Sequence, residues 1–158
     1  MNDAPTMIID AHYIGHQARH VLGDLSHDDV ATGVIYGFLG RVLSLGTLFE
    51  TNEIVFCWDS KKSYRKKLFP DYKKRDLKPE EIEDRRVMME QLTKLRREIL
   101  PKVGFNDNHI QVGCESDDIM ASIVFGKLGD FIIITADEDL FQCLMNKDFI
   151  MELCLFLR

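Results

Sequence analysis

Phe131-Ile132-Ile133-Ile134-Thr135-Ala136-Asp137-Glu138-Asp139 runs from four large apolar residues almost directly into three acids. A short β-branched and aromatic run bounded by polar residues reads as a strand buried on both faces, as in parallel sheets. The same figure recurs along the chain. Met7-Ile8-Ile9 leads into Asp10, and Ile54-Val55-Phe56-Cys57-Trp58 leads into Asp59. Phe149-Ile150-Met151 reads as a further strand.

Between these runs the pattern predicts helices over 28–48, 79–100 and 117–128, with a shorter one after Asp139. The stretch from Pro79 opens with Glu80-Glu81-Ile82-Glu83-Asp84 and turns basic at Arg96-Arg97 before Pro101, the polarity a helix dipole favours. Strands alternating with helices predict an α/β fold: three layers, with a mostly parallel central sheet and helices on both faces. A chain of 158 residues, 46% hydrophobic, suffices for one domain with a proper core and needs no disulfides. Cys57, Cys114, Cys143 and Cys154 form no C-x-x-C pair and read as reduced, mostly buried thiols.

In an open parallel sheet, residues just past the carboxyl ends of the strands converge on one crevice. Asp10, Asp59, Asp137 and Asp139 all hold that position. Glu115-Ser116-Asp117-Asp118 opens a helix, with Glu115 and Asp118 three apart on one face and the positive helix end close by. Taken singly, each acid reads as a turn or cap residue. Their joint placement reads as a metal site, because so many like charges repel unless cations neutralise them. Oxygen-only ligands select Mg²⁺ or Mn²⁺.

The net charge of −6 argues against nucleic acid until its distribution is considered. From Lys61 to Lys102 lie 15 of the 20 Lys and Arg against 8 of the 26 Asp and Glu, so this stretch carries +7 and the remainder −13. A basic surface for phosphates beside an acidic one for cations suits a metal-dependent nuclease. The segment 61–78 has few apolar anchors besides Leu68, Phe69 and Leu77, and is expected to be exposed and mobile.

At these residues the chain resembles a known family: the 5′-nuclease domain of bacterial DNA polymerase I, phage 5′-3′ exonucleases and flap endonucleases. The resemblance runs from about Met7 to the end. It rests on Ile8-Ile9-Asp10, Phe56-Cys57-Trp58-Asp59, Tyr64-Arg65 with Pro70-Asp71-Tyr72-Lys73-Lys74-Arg75, Gly113-Cys114-Glu115-Ser116-Asp117-Asp118, and Thr135-Ala136-Asp137-Glu138-Asp139-Leu140-Phe141-Gln142. It implies a resolvase-like, PIN-like catalytic domain over 1–158, with a basic helical arch at about 61–102. By the same resemblance Asp10, Asp59, Glu115, Asp117 and Asp118 hold a first metal, and Asp137 and Asp139 bridge toward a second. Up to two ions, Mg²⁺ or Mn²⁺, are implied. Arg65 and Lys73 would contact the scissile phosphate as catalytic groups, and Arg65, Lys66, Lys67, Tyr72, Lys73, Lys74 and Arg75 would bind nucleic acid. The implied substrates are DNA with 5′ ends, flaps or nicks, and RNA–DNA hybrids as a further class, cut to release a 5′-phosphate in replication or repair.

The chain departs from the family in three places. Ser116 stands where alanine is usual, and Gln17 where arginine is usual, with Arg19 two residues on and its role left open. The sequence stops before the helix-three-turn-helix element that binds duplex DNA and supplies further carboxylates. The chain is therefore expected to be a fragment, or a shortened product relying on another polypeptide. A catalytically weak DNA-junction binding module of the same fold is the alternative. The long basic segment argues against an acidic-cluster ribonuclease of the toxin type. An Asp-x-Asp phosphatase would need a second acid where Asp10-Ala11-His12 has none.

His12, His16 and His20 share a helix spacing and read as a surface face rather than a transition-metal site. Ser26 and the acids Asp28 and Asp29 read as helix caps. No segment approaches a membrane span of roughly 20 apolar residues, and Asp3 stands where a signal peptide would carry basic residues. A monomer in the cytoplasm of a bacterial or phage-infected cell is expected, with no membrane partner.

Overall fold

The computed structural model describes residues 4–74, 76–127, 129–146 and 152–153. Its centre is a five-stranded sheet in the order β5-β4-β1-β6-β7, formed by Asn108–Ile110, Ile54–Trp58, Thr6–Asp10, Phe131–Ile134 and Glu152–Leu153. Every neighbouring pair is parallel. From β1 the chain steps outward to β4 and β5, then returns to the other side of β1 as β6. The strand order reverses there, and the crevice at the carboxyl ends opens at that switch point.

The pleat sends alternate residues to opposite layers. Met7 and Ile9 join Phe56, Trp58, Ile132 and Ile134 in one core cluster, while Ile8, Val55, Cys57 and Ile133 join the other. The first layer is covered by α1 (Ala11–Leu22), α2 (Gly33–Leu48) and the second half of α4 (Pro79–Lys94); the second layer is covered by α6 (Ser116–Gly126) and the 3₁₀ helix Glu138–Asn146. The expected three-layer architecture is what the chain adopts. Helix α2 approaches α1 closely because Gly37 lacks a Cβ, which would stand 2.8 Å from Cβ of Ala18. Its first two helical N–H groups beyond Gly33, those of Val34 and Ile35, donate to Oε1 of Gln91, a buried residue of α4. Those orphan donors thus find their acceptor on another helix.

Three local expectations are corrected. Helix α2 begins at Gly33 rather than Asp28, because Ser26–His27 (β2) and Val30–Ala31 (β3) form an antiparallel hairpin whose turn residues Asp28 and Asp29 have φ of 48° and 60°. Ser26, Asp28 and Asp29 are therefore strand and turn residues, and Asp at positive φ suits such a turn. The helix from Pro79 does not end before Pro101. It widens into a π-helical turn over Leu95–Ile99 and closes with α5 (Leu100–Lys102). The wider turn gives room ahead of the proline, whose ring would otherwise press on the carbonyl four residues back. The segment 61–78 contains the short helix α3 (Tyr64–Leu68), and Leu68 and Phe69 are exposed as expected. The strand expected at Phe149-Ile150-Met151, together with Arg75 and Cys154, lies outside the described residues. Cys57 and Cys143 are buried free thiols, and Cys114 is half-buried. Among the described residues no helix is long and apolar enough to cross a membrane.

Candidate active site

Register places the acids at one edge. Asp10 pairs with Cys57, so Asp59 stands two residues beyond it on the neighbouring strand. Ile9 pairs with Ile134 on the other side, which sets Thr135 level with Asp10 and Asp137 two residues further.

Asp10 ends β1 and starts α1 at once. Its Oδ1 accepts from the N–H groups of His12 and Tyr13, both at 3.1 Å, so its cap role and its site position coexist. Burial pushes its carboxyl up to about 6, with the charge of Asp59 adding to the rise. Oδ1 of Asp59 accepts from the Ser116 N–H at 2.8 Å, which docks the start of α6 onto the end of β4. The Asp59 N–H donates to Nδ1 of His12 at 3.2 Å, leaving that nitrogen as the unprotonated one, and burial lowers the imidazole pKa.

At the start of α6, the Glu115 N–H donates to Oδ2 of Asp118 at 3.0 Å. These acids meet the basic segment 61–78. The Arg65 guanidinium binds Asp118 through both Nη atoms, at 3.2 and 2.8 Å, and lies 3.1 Å from Glu115 and 3.4 Å from Asp117. Nζ of Lys73 is 2.8 Å from Oε2 of Glu115, and the Tyr72 hydroxyl donates to the same oxygen at 3.3 Å. The hydrogen bond to Glu115 holds the Lys73 ammonium above its ordinary range. Burial raises Asp117 against the pull of Arg65. The segment 61–78, expected to be mobile, is thus tied to the acids by charge-assisted bonds.

Two serines and a glycine make this docking possible. The Ser63 hydroxyl accepts from the Arg65 N–H at the start of α3 and donates to Oε1 of Glu115, both at 3.2 Å. Oγ of Ser60 accepts from the Gly113 N–H at 3.2 Å. Gly113 has φ of 93°, and a Cβ there would stand 2.2 Å from the Tyr64 ring. Only glycine lets the loop before α6 lie flat against α3.

Asp137 and Asp139 form a separate local pair. The Asp137 N–H donates to Oγ1 of Thr135, and Oδ1 of Asp137 accepts from the Asp139 N–H at 3.0 Å. Among the described residues no hydrogen bond or ion pair joins them to the other five acids. Nor does any group of three or more His, Cys, Asp or Glu side chains there stand ready to hold a metal ion. The donor chemistry nevertheless fits a hard divalent cation. All seven acids offer oxygen only, Asp10 has no cation partner among the described residues, and Arg65 and Lys73 supply the positive charge that Glu115, Asp117 and Asp118 require.

Residues 5–154 match the family described as 5′-3′ exonuclease, N-terminal resolvase-like domain. The chain belongs to that family. A 5′-3′ exonuclease of Bacillus subtilis (strain 168) is 30% identical over 127 residues, covering 78% of this chain and 40% of that protein. The T5 5′-exonuclease with zinc bound superposes with a TM-score of 0.65 at 20% identity, over 88% of this chain and 51% of that one. The bacteriophage T5 flap endonuclease in a pseudo-enzyme-product complex with DNA and metal ions gives a TM-score of 0.62 at 20% identity, over 85% and 49%. This member of the exonuclease family therefore spans 40% of the curated relative and about half of the matched structures.

Of the residues expected to bind nucleic acid, Arg65, Tyr72 and Lys73 reach the acids, whereas Lys74 turns to Asp71 at 3.4 Å and Lys66 and Lys67 are exposed on α3. Arg75 lies outside the described residues. Arg19 lies in the second half of α1. It binds Asp84 of α4 at 2.7 Å, while Nε2 of Gln17 donates to the Tyr13 hydroxyl. His12 and Ser63 are the site residues that sequence reasoning missed. Each touches a carboxylate-bearing residue 47 or 52 positions away, and no local pattern announces that.

Proposed function

We propose that this chain is the catalytic part of a divalent-metal-dependent 5′-nuclease that hydrolyses DNA phosphodiesters at 5′ ends, flaps or nicks. The observation that carries it is the seating of Arg65 and Lys73 on Glu115, Asp117 and Asp118 at the carboxyl edge of a parallel sheet. Cationic groups already held by carboxylates at that edge stand where they can exchange a carboxylate partner for a phosphate oxygen.

In this reading Asp10, Asp59, Glu115, Asp117 and Asp118 hold Mg²⁺ or Mn²⁺, and Asp137 and Asp139 extend toward a second ion. Such ions, when bound, supply a nucleophilic water near neutral pH and stabilise the attacking and leaving oxygens. The chain's own residues do the rest. Arg65 and Lys73 offset charge growing on the phosphate. Tyr72 lies beside Lys73, whose Nζ is 5.3 Å from the ring centroid, and presents an aromatic face to a base. Ser60, Ser63 and Gly113 hold the arch in place. The domain is read as one unit over 1–158 with the arch at about 61–102, acting as a monomer, with RNA–DNA hybrids as a further substrate class.

The experiment is cleavage of 5′-labelled flap, nicked and single-stranded DNA with Mg²⁺ or Mn²⁺, comparing the chain with its Asp137→Asn plus Asp139→Asn variant. Metal-dependent products that vanish in the variant support the nuclease. Binding without cutting by the unaltered chain would sink it, leaving a DNA-junction binding module. That second reading draws on the separation of Asp137 and Asp139 from the other acids.

A further inference from the structure

Against Asp59 lies a cavity of about 340 Å³ that the chemistry above does not use. Its apolar lining is the half-buried Met89 of α4 with Ile110 and Val112, exposed by 43% and 70%, over the buried Trp58 and Leu92. Lys61, Lys62, Arg96 and Arg97 stand around it. Among the described residues none of these four cations has a carboxylate within ion-pair distance. Arg96 and Arg97 belong to the π-helical turn Leu95–Ile99, a distortion that helices often carry at functional sites. The Arg96 guanidinium is half-buried, and that burial, with Arg97 beside it, lowers its pKa.

An apolar slot ringed by unpaired cations discriminates among occupants. A free phosphate has no use for the apolar floor, and an apolar peptide has none for four positive charges. A nucleotide uses both, and the cavity is of the size that small-ligand sites have, roughly 300–1,000 Å³. His12 and Asp59 line the same cavity, so whatever enters it sits next to the acid cluster.

We propose that this cavity is a subsite for one unpaired base of the DNA strand being cut. The base lies against Met89, Ile110 and Val112, and its flanking phosphate meets Lys61, Lys62, Arg96 and Arg97. The subsite rests on the nuclease reading for the identity of its ligand and on the cavity for its place.

The test is equilibrium binding of the whole chain, by fluorescence anisotropy, to flap oligonucleotides in which a single abasic site is walked across the junction. One position is expected at which losing the base weakens binding by about tenfold, the scale of a base held on a protein surface. Val112→Asp, at an exposed position that leaves the core intact, is expected to erase that position-specific loss. Arg96→Gln with Arg97→Gln is expected to flatten the salt dependence of binding. No sensitive position in the unaltered chain, or sensitivity that survives Val112→Asp, overturns the subsite. Cleavage without base sensitivity removes the subsite and leaves the nuclease, whereas base sensitivity without cleavage removes the nuclease and leaves a base-binding cavity on a DNA-binding module. Absence of DNA binding removes both.

Discussion

Lys73 reaches Glu115 at 2.8 Å from a backbone held at φ of 52°. A lysine in the left-handed region costs about 1 kcal/mol or more, and such strain persists where surrounding contacts over-determine it. Here the contacts are the ones that tie the basic segment to Glu115.

Lys73→Ala should therefore slow DNA cleavage by about 100-fold, the usual scale for removing one group that stabilises developing charge. Single-turnover rates at saturating protein separate this from weaker binding. A rate unchanged within a few-fold would remove Lys73 from the chemistry.

Asp10 gives a pH dependence with a definite sign. Its folded pKa of about 6 lies above the unfolded value of 3.8, so the fold prefers the protonated form. The associated stability is full below about pH 4 and is lost as pH rises through about 6. Asp10→Asn, which keeps an acceptor for the His12 and Tyr13 N–H groups, should stabilise the metal-free chain at pH 7 by up to roughly 3 kcal/mol. The gain should disappear below about pH 4. Urea unfolding at pH 4 and pH 7 with a chelator present checks both statements.

Divalent cations should raise the melting temperature of the unaltered chain, because a ligand at 100 times its Kd adds about 2.7 kcal/mol to a state that alone binds it. Asp10→Asn with Asp59→Asn should abolish the rise. Equal shifts in both proteins would place the cation elsewhere.

Gly113→Ala should act on the arch more than on the core. Its Cβ would meet the Tyr64 ring at 2.2 Å with φ of 93°, a strain of about 1–3 kcal/mol. The expected result is faster proteolysis within 61–78 and slower cleavage, with the core's amide protection retained. Uniform loss of protection would show that the glycine supports the whole domain.

Gln91→Ala tests the distant cap of α2. It leaves the buried Val34 N–H and the half-buried Ile35 N–H without this acceptor, and an unsatisfied buried donor costs about 1–3 kcal/mol. The fall in stability should appear in urea unfolding at every pH, unlike the effect of Asp10.

The strands ending in Asp10, Asp59 and Asp137 were legible because a buried parallel strand is a short apolar run, and the carboxyl-edge rule converts each run's end into a position in space. The start of α6 at Glu115-Ser116-Asp117-Asp118 was legible for an equally local reason, since acids gather at helix beginnings. The hairpin at Ser26–Ala31 was misread because Ser-x-Asp-Asp suits a cap and a turn alike, and only the pairing of His27 with Val30 decides between them. The helix boundary at Pro101 failed because a π-helical turn has no reliable signature in residue order.

What the sequence determined by itself is therefore the alternation of buried strands and helices, the family, and the edge on which the acids stand. The tertiary structure decided which cations lie on those acids, that His12 props Asp59, that Arg19 goes to Asp84, and that a basic-rimmed cavity opens beside the site. The physical reason is range. Periodicity and capping act within a few residues, whereas Arg65 meets Asp117 and Asp118 across 52 and 53 positions and Gln91 meets Val34 across 57. Such contacts exist only once the sheet has set the distances between chain segments.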